Sequence, residues 1–284
     1  MSDMISIIIP AHNEEKVIAS ALNPLLAAAN SGAVEIIVVC NGCTDKTAEV
    51  VTSFGDVVKC IDTPIPSKTN ALNLGDSKAS GFPRIYQDAD VVLSFEAIQQ
   101  IALVLQSNKF LAAAPMMRMD FRNASWLVRS YYEVWQQLPY IQEGMIGTGV
   151  YALSEAGRKR FDTFPEIIAD DGYIRALFKT DERTSVDSCY SLVRAPADLV
   201  SLLKIKTRSR LGRYELKKKF PEFLENEEKN YSNATLGLLS QIYLWPKLPV
   251  YLYVNLKARF KAKEHARIQG FTGWERDESS RENI

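Results

Sequence analysis

The chain has 284 residues, of which 46% are hydrophobic, so it can bury a substantial core and is not a disordered protein. Lysine plus arginine and aspartate plus glutamate number 34 each, and this balance leaves no overall positive field that would recruit nucleic acid. The four cysteines follow no disulfide-framework spacing and the first residues do not form a signal sequence, which favours a reducing cytoplasm.

The first third of the chain alternates short β-branched runs with amphipathic segments. Buried strands are predicted at Ile5–Ile9 and Glu35–Cys40, and Asn13 is predicted to cap the helix between them. The elements predicted next are a helix at 44–51, a strand at 57–61, a helix at 67–79 and a strand at 84–88. Strands that alternate with helices predict a mostly parallel, doubly wound α/β sheet.

Polar clusters follow three of these strands, at the edge where such sheets bind ligands. They lie at 10–15, at 40–47 and at Asp88–Asp90. Alternate residues of an extended chain point the same way, so both aspartates can face one hard cation, or a cation and a ribose. Singly, each cluster is equally well explained by helix caps or a solvated turn. Jointly, the clusters favour a nucleotide site.

Cys40 and Cys43 form a C-x-x-C pair, which also occurs in redox and zinc sites. The chain has no second cysteine pair, and His12 and His265 are not at ligand spacing for zinc. The pair is better explained as part of the turn after the second strand.

The middle of the chain is expected to supply the acceptor side. A strand is predicted at Ala112–Met119, followed by a helix that Ser125 caps and Pro139 ends. Aromatic side chains of this helix could stack on a sugar or a lipid, although their helical spacing is more typical of a packed core. These side chains are Trp126, Tyr131, Tyr132 and Trp135.

Gly147 and Gly149 superficially satisfy a dinucleotide-binding fingerprint. That fingerprint places its glycines at a turn from strand to helix, whereas Val150–Leu153 is predicted to continue as strand before Ser154 caps a helix. The context therefore argues against a dinucleotide site.

Five motifs resemble, in chain order, those of the family 2 glycosyltransferases, which have the nucleotide-binding fold of the A type. Pro10–Glu15 resembles the family's P-x-x-N-E motif, and Asn41–Thr47 resembles its D-G-S-x-D-x-T loop. Ser67–Gly75 is similar to the G-K-x-x-A-L-N-x-G helix. Asp88–Asp90 is similar to the metal-binding motif, and Asp170–Asp171 to the E-D pair that carries the catalytic base.

The resemblance covers the chain from about Ile5 to about Phe178. It implies a nucleoside diphosphate sugar as donor and Mn²⁺ or Mg²⁺ as metal, held by Asp90 with help from Asp88. The nucleotide-contacting residues that it implies are Ala11, Asn13, Glu14, Asn41, Asp45, Lys68 and Asp88. Asn41 stands where the family often has a carboxylate, and because an amide both donates and accepts, the identity of the base stays open.

Asp170 and Asp171 form a second acidic centre at the start of a predicted helix. Paired carboxylates raise one pKa, which suits proton abstraction, although capping of the helix explains them as well. The resemblance places the base second, so it implies that Asp171 is catalytic and that Asp170 caps the helix and positions its neighbour. Asp170 stands where the family usually has glutamate.

Two further segments acquire roles through the resemblance. The backbone of Gly147 to Gly149 would pass under the donor sugar or the acceptor, where side chains would collide. The basic run at 204–214 loosely resembles the motif that meets the leaving diphosphate, and the alternative is a solvated basic loop. Its candidate residues are Arg208, Arg210 and Arg213.

Residues 1–205 are predicted to form the catalytic domain, and 206–284 a basic loop with a helical C-terminal arm. The arm is apolar at 231–245, is broken by Pro246 and Pro249, and continues through 250–256 into a basic stretch at 257–263. No part is a clean membrane span, but the pattern suits a helix at an anionic membrane interface. Packing on the catalytic domain or on a partner subunit is the alternative. Residues 270–284 are polar and expected to fray.

The leading function is that of an inverting, metal-dependent glycosyltransferase acting on a sugar, glycan or lipid-linked acceptor, as in cell-surface polysaccharide or glycolipid synthesis. A sugar-nucleotide nucleotidyltransferase would need a G-x-G-T-R-L-like loop after the first strand, which this chain lacks. A non-catalytic nucleotide-binding or scaffold protein would need neither Asp90 nor Asp171. The sequence predicts neither the donor, the acceptor and the linkage nor whether the chain forms an oligomer.

Overall fold

The computed structural model describes residues 4–138, 141, 145, 148–227 and 241–272. The strands are β1 (Ile5–Ala11), β2 (Val34–Asn41), β3 (Val58–Thr63), β4 (Arg84–Gln87), β5 (Ala112–Asp120), β6 (Val150–Leu153) and β7 (Arg183–Arg194). They form one sheet in the order β3-β2-β1-β4-β6-β5-β7, in which only β6 is antiparallel to its neighbours. The predicted mostly parallel α/β sheet is therefore confirmed.

Helices cover both faces of the sheet. They are α1 (Ile18–Leu22), α2 (Leu26–Asn30), α3 (Thr47–Thr52), α4 (Lys68–Lys78), α5 (Phe95–Gln106), α6 (Trp126–Trp135), α7 (Glu155–Arg158), α8 (Asp170–Leu177), α9 (Leu199–Lys219) and α10 (Leu248–Ile268). Short 3₁₀ segments occupy Asn23–Leu25, Gly55–Val57, Pro221–Glu227 and Ile242–Lys247. No helix in these described ranges is long and apolar enough to cross a membrane.

The alternation of side chains along β1 explains why its sequence is continuously apolar. Ile7 and Ile9 pack in one core cluster with α1 and α5, whereas Ile8 points to the opposite face and packs with Leu72 of α4. Both faces of the strand are thus buried, which requires an uninterrupted β-branched run rather than an alternating one.

The serine caps predicted for two helices, at Ser125 and Ser154, are confirmed, and Ser67 caps a third helix. The hydroxyls of Ser67, Ser125 and Ser154 each accept a hydrogen bond from the backbone N–H three residues later, at the starts of α4, α6 and α7. Asp198 caps α9 in the same way by accepting from the N–H of Ser201.

The predicted cap at Asn13 is wrong. Asn13 has φ +53, a left-handed conformation that asparagine tolerates, and α1 begins only at Ile18 with no side-chain cap. The Asn13 side chain instead accepts a hydrogen bond from the N–H of Thr44 in the loop after β2. A tertiary contact between two loops therefore replaces the local cap, and α3 likewise starts at Thr47 rather than at Thr44.

The aromatic helix α6 is mostly core, as its spacing predicts. Tyr131, Tyr132 and Trp135 are buried against α9 and α10, whereas Trp126 is exposed. The helix ends at Trp135, and Pro139, the predicted stop, lies outside the described residues.

The segment predicted as a basic loop at 204–214 is helical, because it lies within α9. Lysine, arginine and leucine are good helix formers, so the basic run continues the helix that Asp198 caps. The helix runs through the predicted domain boundary at 205, and that division of the chain stays a prediction.

Helix α10, which forms most of the described part of the predicted arm, packs on α6 and α9. Its buried residues Val254, Ala258 and Ala262 recur every fourth position and form the side of the helix that faces α6 and α9. The first ten residues of the arm, 231–240, and most of the tail expected to fray, 273–284, lie outside the described residues.

A buried carboxylate joins the N-terminal ends of the central strands. Glu35 of β2 accepts hydrogen bonds from Ser6, Ser80 and Gly81 and pairs with Lys59 at 3.0 Å. Burial alone would raise the pKa of Glu35, but the hydrogen bonds outweigh it and lower the pKa to about 2.

Replacing Glu35 with glutamine is expected to lower the free energy of unfolding at pH 7 by about 1–3 kcal/mol, the range for hydrogen bonds to a charged group. The pKa of Glu35 is lower in the folded chain than in the unfolded chain. The stabilisation by its carboxylate is therefore complete above the ordinary carboxyl pKa and disappears as the pH falls towards 2. Urea denaturation at pH 7 and pH 3 measures it, with the exposed Glu49→Gln as control. An equal destabilisation at both pH values would contradict this explanation.

Candidate functional site

Lys68 joins two acidic motifs that are far apart in the sequence. Its ammonium group lies 2.7 Å from Asp88 Oδ1 and 2.9 Å from Asp170 Oδ1. Lys68 is the first residue of α4, and the cap at Ser67 fixes the start of that helix beside the end of β4. The Asp-x-Asp sequence and the second acid pair therefore meet at the carboxyl edge of the sheet.

The Asp-x-Asp loop is a tight turn directly after β4. The N–H of Val91 donates to the carbonyl of Asp88 at 3.1 Å, and the side-chain amide of Gln87 donates to the carbonyl of Val91 at 2.9 Å. Ala89 is buried, while Asp88 and Asp90 are partly exposed. The turn thus holds both carboxylates at the sheet edge, where the sequence predicts them.

Gly149 lies against this loop. Its carbonyl accepts from the N–H of Asp88 at 2.8 Å, and its φ is +61. A Cβ at this position would lie 2.5 Å from Cγ2 of Val91 and 3.4 Å from Oδ2 of Asp88. Only glycine fits this backbone conformation and this close approach. Gly147, the other glycine predicted here, lies outside the described residues.

The two acids at the start of α8 have different surroundings. Asp170 is only 3% exposed, and its Oδ2 accepts a hydrogen bond from the hydroxyl of Tyr151 at 3.2 Å. Asp171 is exposed, and its Oδ1 accepts from the N–H of Gly172 at 2.7 Å. The acid fixed by Lys68 and Tyr151 is therefore Asp170, and the acid open to a substrate is Asp171.

The predicted role of Asp170 as helix cap is wrong. The N-cap position is Ala169, and no side chain caps the helix. The carboxylate of Asp170 turns towards Lys68 and Tyr151 instead, because it forms an ion pair with the ammonium group of Lys68 and accepts a hydrogen bond from the hydroxyl of Tyr151. The sequence identified Tyr151 only as part of a strand, since nothing local distinguishes its hydroxyl from that of a core tyrosine.

The carboxylates around Lys68 shift its pKa and that of Asp171. The surrounding protein would lower the pKa of Lys68, but the charges of Asp170, Asp88 and Asp171 outweigh this and raise it. The surrounding protein and the charge of Asp170 raise the pKa of Asp171, although Lys68 opposes the shift. These two effects favour the protonated form of Asp171.

The loops after β1 and β2 are tied together by residues predicted to contact the nucleotide. The amide of Asn41 donates to the carbonyl of Ala11 at 2.8 Å, and Oδ1 of Asn13 accepts from the N–H of Thr44 at 2.7 Å. The Asn41 NH₂ group also donates to the carbonyl of Val39 at 3.4 Å, so both of its hydrogens are directed at backbone carbonyls.

Glu14 and Asp45 contribute to the same junction. The N–H of Glu14 donates to Oγ1 of Thr47 at 2.7 Å, and Oδ1 of Asp45 accepts from the hydroxyl and the N–H of Thr47. Oδ2 of Asp45 accepts from the N–H of Glu15. Partial burial would raise the pKa of Asp45, but these hydrogen bonds lower it. The two loops therefore form one wall, with Glu14 buried within it.

The three candidate arginines lie on α9 and have different surroundings. Gly212 of this helix approaches Ala169, the residue before the acid pair, and Arg208 lies one turn before Gly212. Arg210 donates to Oδ1 of Asn255 on α10 at 3.2 Å, and Arg213 is exposed. Arg210 is thus directed to α10, and Arg208 lies on the same side of the helix as Gly212.

The acidic pair Asp88 and Asp90 fits a hard divalent cation that shares its coordination with a nucleotide. The described ranges contain no group of three or more histidine, cysteine or acidic side chains able to hold a metal by themselves. Mg²⁺ and Mn²⁺ accept one or two carboxylates when phosphate oxygens and water complete the coordination. Two carboxylates fixed by one turn match that type of donor set.

Residues 6–161 match the family described as glycosyl transferase family 2. A probable glycosyltransferase, YdaM, of Bacillus subtilis is 32% identical over 113 residues, which are 37% of this chain and 27% of that protein. An uncharacterized glycosyltransferase of Nostoc sp. is 32% identical over 108 residues, 37% of this chain and 33% of that protein. The matched region thus spans a third or less of either curated relative.

Solved structures show the same fold over more of the chain. A mannosyltransferase from Pyrobaculum calidifontis, in complex with GDP-Man and Mn²⁺, has a TM-score of 0.61 and 16% identity over 93% of this chain and 75% of that chain. Glucosyl-3-phosphoglycerate synthase from Mycobacterium tuberculosis, in complex with Mn²⁺ and UDP-Glc, has a TM-score of 0.55 and 20% identity over 76% of this chain and 78% of that chain. The chain therefore has the A-type glycosyltransferase fold.

Proposed function

The chain belongs to glycosyl transferase family 2, and from this premise we propose that it moves a sugar, with inversion, from a nucleoside diphosphate sugar to an acceptor hydroxyl. The observation that carries the proposal is the contact of Lys68 with both Asp88 and Asp170, at 2.7 and 2.9 Å. Inverting transfer needs a diphosphate site and a base on opposite sides of the anomeric carbon, and this contact holds the two acidic centres next to each other.

The proposed metal is Mn²⁺ or Mg²⁺, held by Asp90 and Asp88. Such a cation would neutralise charge on the diphosphate as it leaves. Lys68 pairs with Asp88 and so fixes that carboxylate near the cation position. The structures of the mannosyltransferase and of the synthase, both described with Mn²⁺ and a nucleotide sugar, support this assignment.

The remaining roles follow from what each side chain contacts. Asp171, exposed beside the fixed Asp170, is the proposed base for the acceptor hydroxyl. Ala11, Asn13, Glu14, Asn41 and Asp45 are the proposed wall of the nucleotide pocket. On α9, Arg208, Arg210 and Arg213 are proposed to meet the leaving diphosphate, and the approach of this helix to Ala169 favours Arg208 among them.

Titration of the full chain with UDP, GDP and dTDP by calorimetry, with Mn²⁺ or with a chelator, tests the proposal. We expect one diphosphate to bind more tightly than the others and only in the presence of metal. Absence of binding by all three under both conditions would refute the donor site.

The exposed face of α10 supports a further part of the proposal, that the enzyme binds peripherally to an anionic membrane where a lipid-linked acceptor would lie. Leu252, Leu256 and Phe260 are exposed at successive turns, opposite the face that packs on α6 and α9. Basic residues flank them, all of them exposed: Lys257, Arg259, Lys261 and Lys263. Apolar insertion beside positive charge is the combination that binds an anionic interface.

Replacing both Leu256 and Phe260 with glutamate is expected to release the protein from liposomes that contain anionic lipid, measured by co-sedimentation at low salt. Both side chains are more than half exposed, so the fold and diphosphate binding should be unchanged. Leu103→Glu, at an equally exposed position on α5, is the control and should still sediment. If the unmodified chain ignores these liposomes, the arm has only a structural role.

A further inference from the structure

A surface cavity of about 650 Å³ lies at the C-terminal ends of β5 and β7, outside the site assembled above. Three arginines line it together with one aspartate and apolar side chains. The lining residues used below are Arg118, Asp120, Phe121, Arg122, Arg129 and Leu192.

The cavity is next to the Asp-x-Asp loop. Strands β5 and β7 continue beyond the end of β4 as a two-stranded extension, paired up to Asp120 and Arg194. The N–H of Leu192 donates to the carbonyl of Val92 at 3.1 Å, two residues after Asp90. One wall of the cavity is thus bonded to the segment that carries the proposed metal ligand.

The lining has a net positive charge. Arg122 binds Asp120 through two nitrogens, at 2.9 and 2.6 Å, and these hydrogen bonds lower the pKa of Asp120, which keeps it ionised. Three guanidinium groups and one carboxylate leave a charge of +2 in the lining. On the adjoining strand the charge of Arg194 also acts on Asp120, and Nη1 of Arg194 is buried with no hydrogen-bond partner among the described residues.

Two of the arginines are held in place without an acidic partner. Arg129 donates to the carbonyls of Ala124 at 2.9 Å and Phe121 at 2.6 Å. The guanidinium carbon of Arg118 lies 3.6 Å from the ring centroid of Tyr190. Within the described part of the chain neither arginine forms an ion pair. A guanidinium group fixed by an aromatic ring or by carbonyls loses little freedom when it binds an oxyanion.

We propose that this cavity holds the phosphate group of a phosphorylated acceptor, whose hydroxyl is then presented to the sugar at the neighbouring site. The inference rests on the proposed function, which it extends by naming the acceptor's chemical class. A phosphate monoester carries a charge of about −1.5 to −2 at pH 7, which the lining charge of +2 complements. Planar guanidinium groups suit its oxygens.

The phosphate could belong to a small soluble molecule or to a lipid headgroup, and two probes distinguish these sources. The first probe is glycerol 3-phosphate, titrated by calorimetry into the full chain saturated with UDP and Mn²⁺. The second is co-sedimentation with vesicles that contain phosphatidate. We expect binding of at least one probe, and Arg118→Gln should weaken that binding by about tenfold or more, as for the loss of a hydrogen bond to a charged group.

Two further variants sharpen the test. Asp120→Asn removes the negative charge from the lining, so it should bind the same probe at least as tightly as the unmodified chain. Arg160→Gln, which removes an exposed arginine paired with Glu182 at the opposite end of β5, should change nothing. The proposal would be overturned if both probes bound Arg118→Gln as tightly as they bind the unmodified chain. It would also be overturned if glycerol 3-phosphate bound the chain alone but no longer bound it in the presence of UDP and Mn²⁺.

Failure of the inference is distinguishable from failure of the proposed function. If no nucleoside diphosphate binds in the titration that tests the donor site, the proposed function fails. If UDP and Mn²⁺ bind normally to Arg118→Gln, but both phosphate probes have the same affinity for this variant and for the unmodified chain, only the acceptor assignment is overturned.

Discussion

Replacing Asp90 with asparagine is expected to abolish metal-dependent binding of the nucleoside diphosphate. The amide keeps the shape of the side chain but removes the charge that a hard divalent cation requires, and the cation would join the protein to the phosphate oxygens. Asp88 alone is not expected to hold the cation, because Lys68 already pairs with its Oδ1 at 2.7 Å and leaves only Oδ2 for the metal. We expect the affinity in Mn²⁺ to fall to the level measured with chelator.

Calorimetric titration of UDP, GDP and dTDP with and without chelator measures this loss. Asp56→Asn is the matched control, since Asp56 is an exposed carboxylate at the start of β3, on the edge of the sheet away from the site. Asp56→Asn should keep metal-dependent binding. If Asp90→Asn titrates like the unmodified chain, with the same response to chelator, the metal is not held through Asp90.

The parts of the fold that the sequence predicts well are those decided by local chemistry. The β-branched runs of β1 and β2 strongly favour buried strands. The serines before α4, α6 and α7 cap their helices by accepting a hydrogen bond from the backbone N–H three residues later. These signals lie within a few residues of the structure that they determine.

Two of the errors have a common cause in tertiary contacts. Asn13 and Asp170 are both good helix-capping residues, yet each turns to a distant partner, Thr44 in the first case and Lys68 in the second. A capping hydrogen bond and a tertiary hydrogen bond are similar in free energy, so the local preference does not decide between them. The basic segment within α9 was mistaken for a loop because its charges concealed a good helix-forming composition.

The candidate site was predicted as separate motifs but not as an arrangement. Asp88 follows a strand, and Asp170 and Lys68 begin two separate helices. Only the topology of the sheet brings each of the two acids within 3 Å of Lys68. Tyr151 belongs to the same group, because β6 runs antiparallel beside β4 and places its hydroxyl on Asp170. No local pattern encodes that pairing.

Replacing Asp171 with asparagine is expected to lower kcat by about a hundredfold or more, the scale for losing a general base. The affinities for metal and nucleotide should be nearly unchanged. Among the described residues Asp171 is exposed and forms no ion pair with Lys68, whereas Asp170 is buried and fixed by Lys68 and Tyr151. We therefore expect the exposed carboxylate of Asp171, rather than the buried one of Asp170, to reach an acceptor hydroxyl.

The pH dependence of kcat/KM provides an independent check on this base. The surrounding protein and the charge of Asp170 raise the pKa of Asp171, so the base becomes protonated at a higher pH than an ordinary aspartate. Activity should therefore fall as the pH drops through this raised pKa. Because the charge of Lys68 opposes the shift, Lys68→Met should move the acid limb to still higher pH.

Asp170→Asn is the comparison that separates a base from a positioning residue. Its carboxylate pairs with Lys68 and accepts from Tyr151, so the variant should lower the melting temperature while reducing kcat less than Asp171→Asn does. Asp171→Asn should leave the melting temperature almost unchanged, because an exposed side chain is altered. If Asp171→Asn turns over at nearly the rate of the unmodified chain, or loses nucleotide as severely as Asp90→Asn, then Asp171 belongs to the donor site or the fold and another group removes the proton.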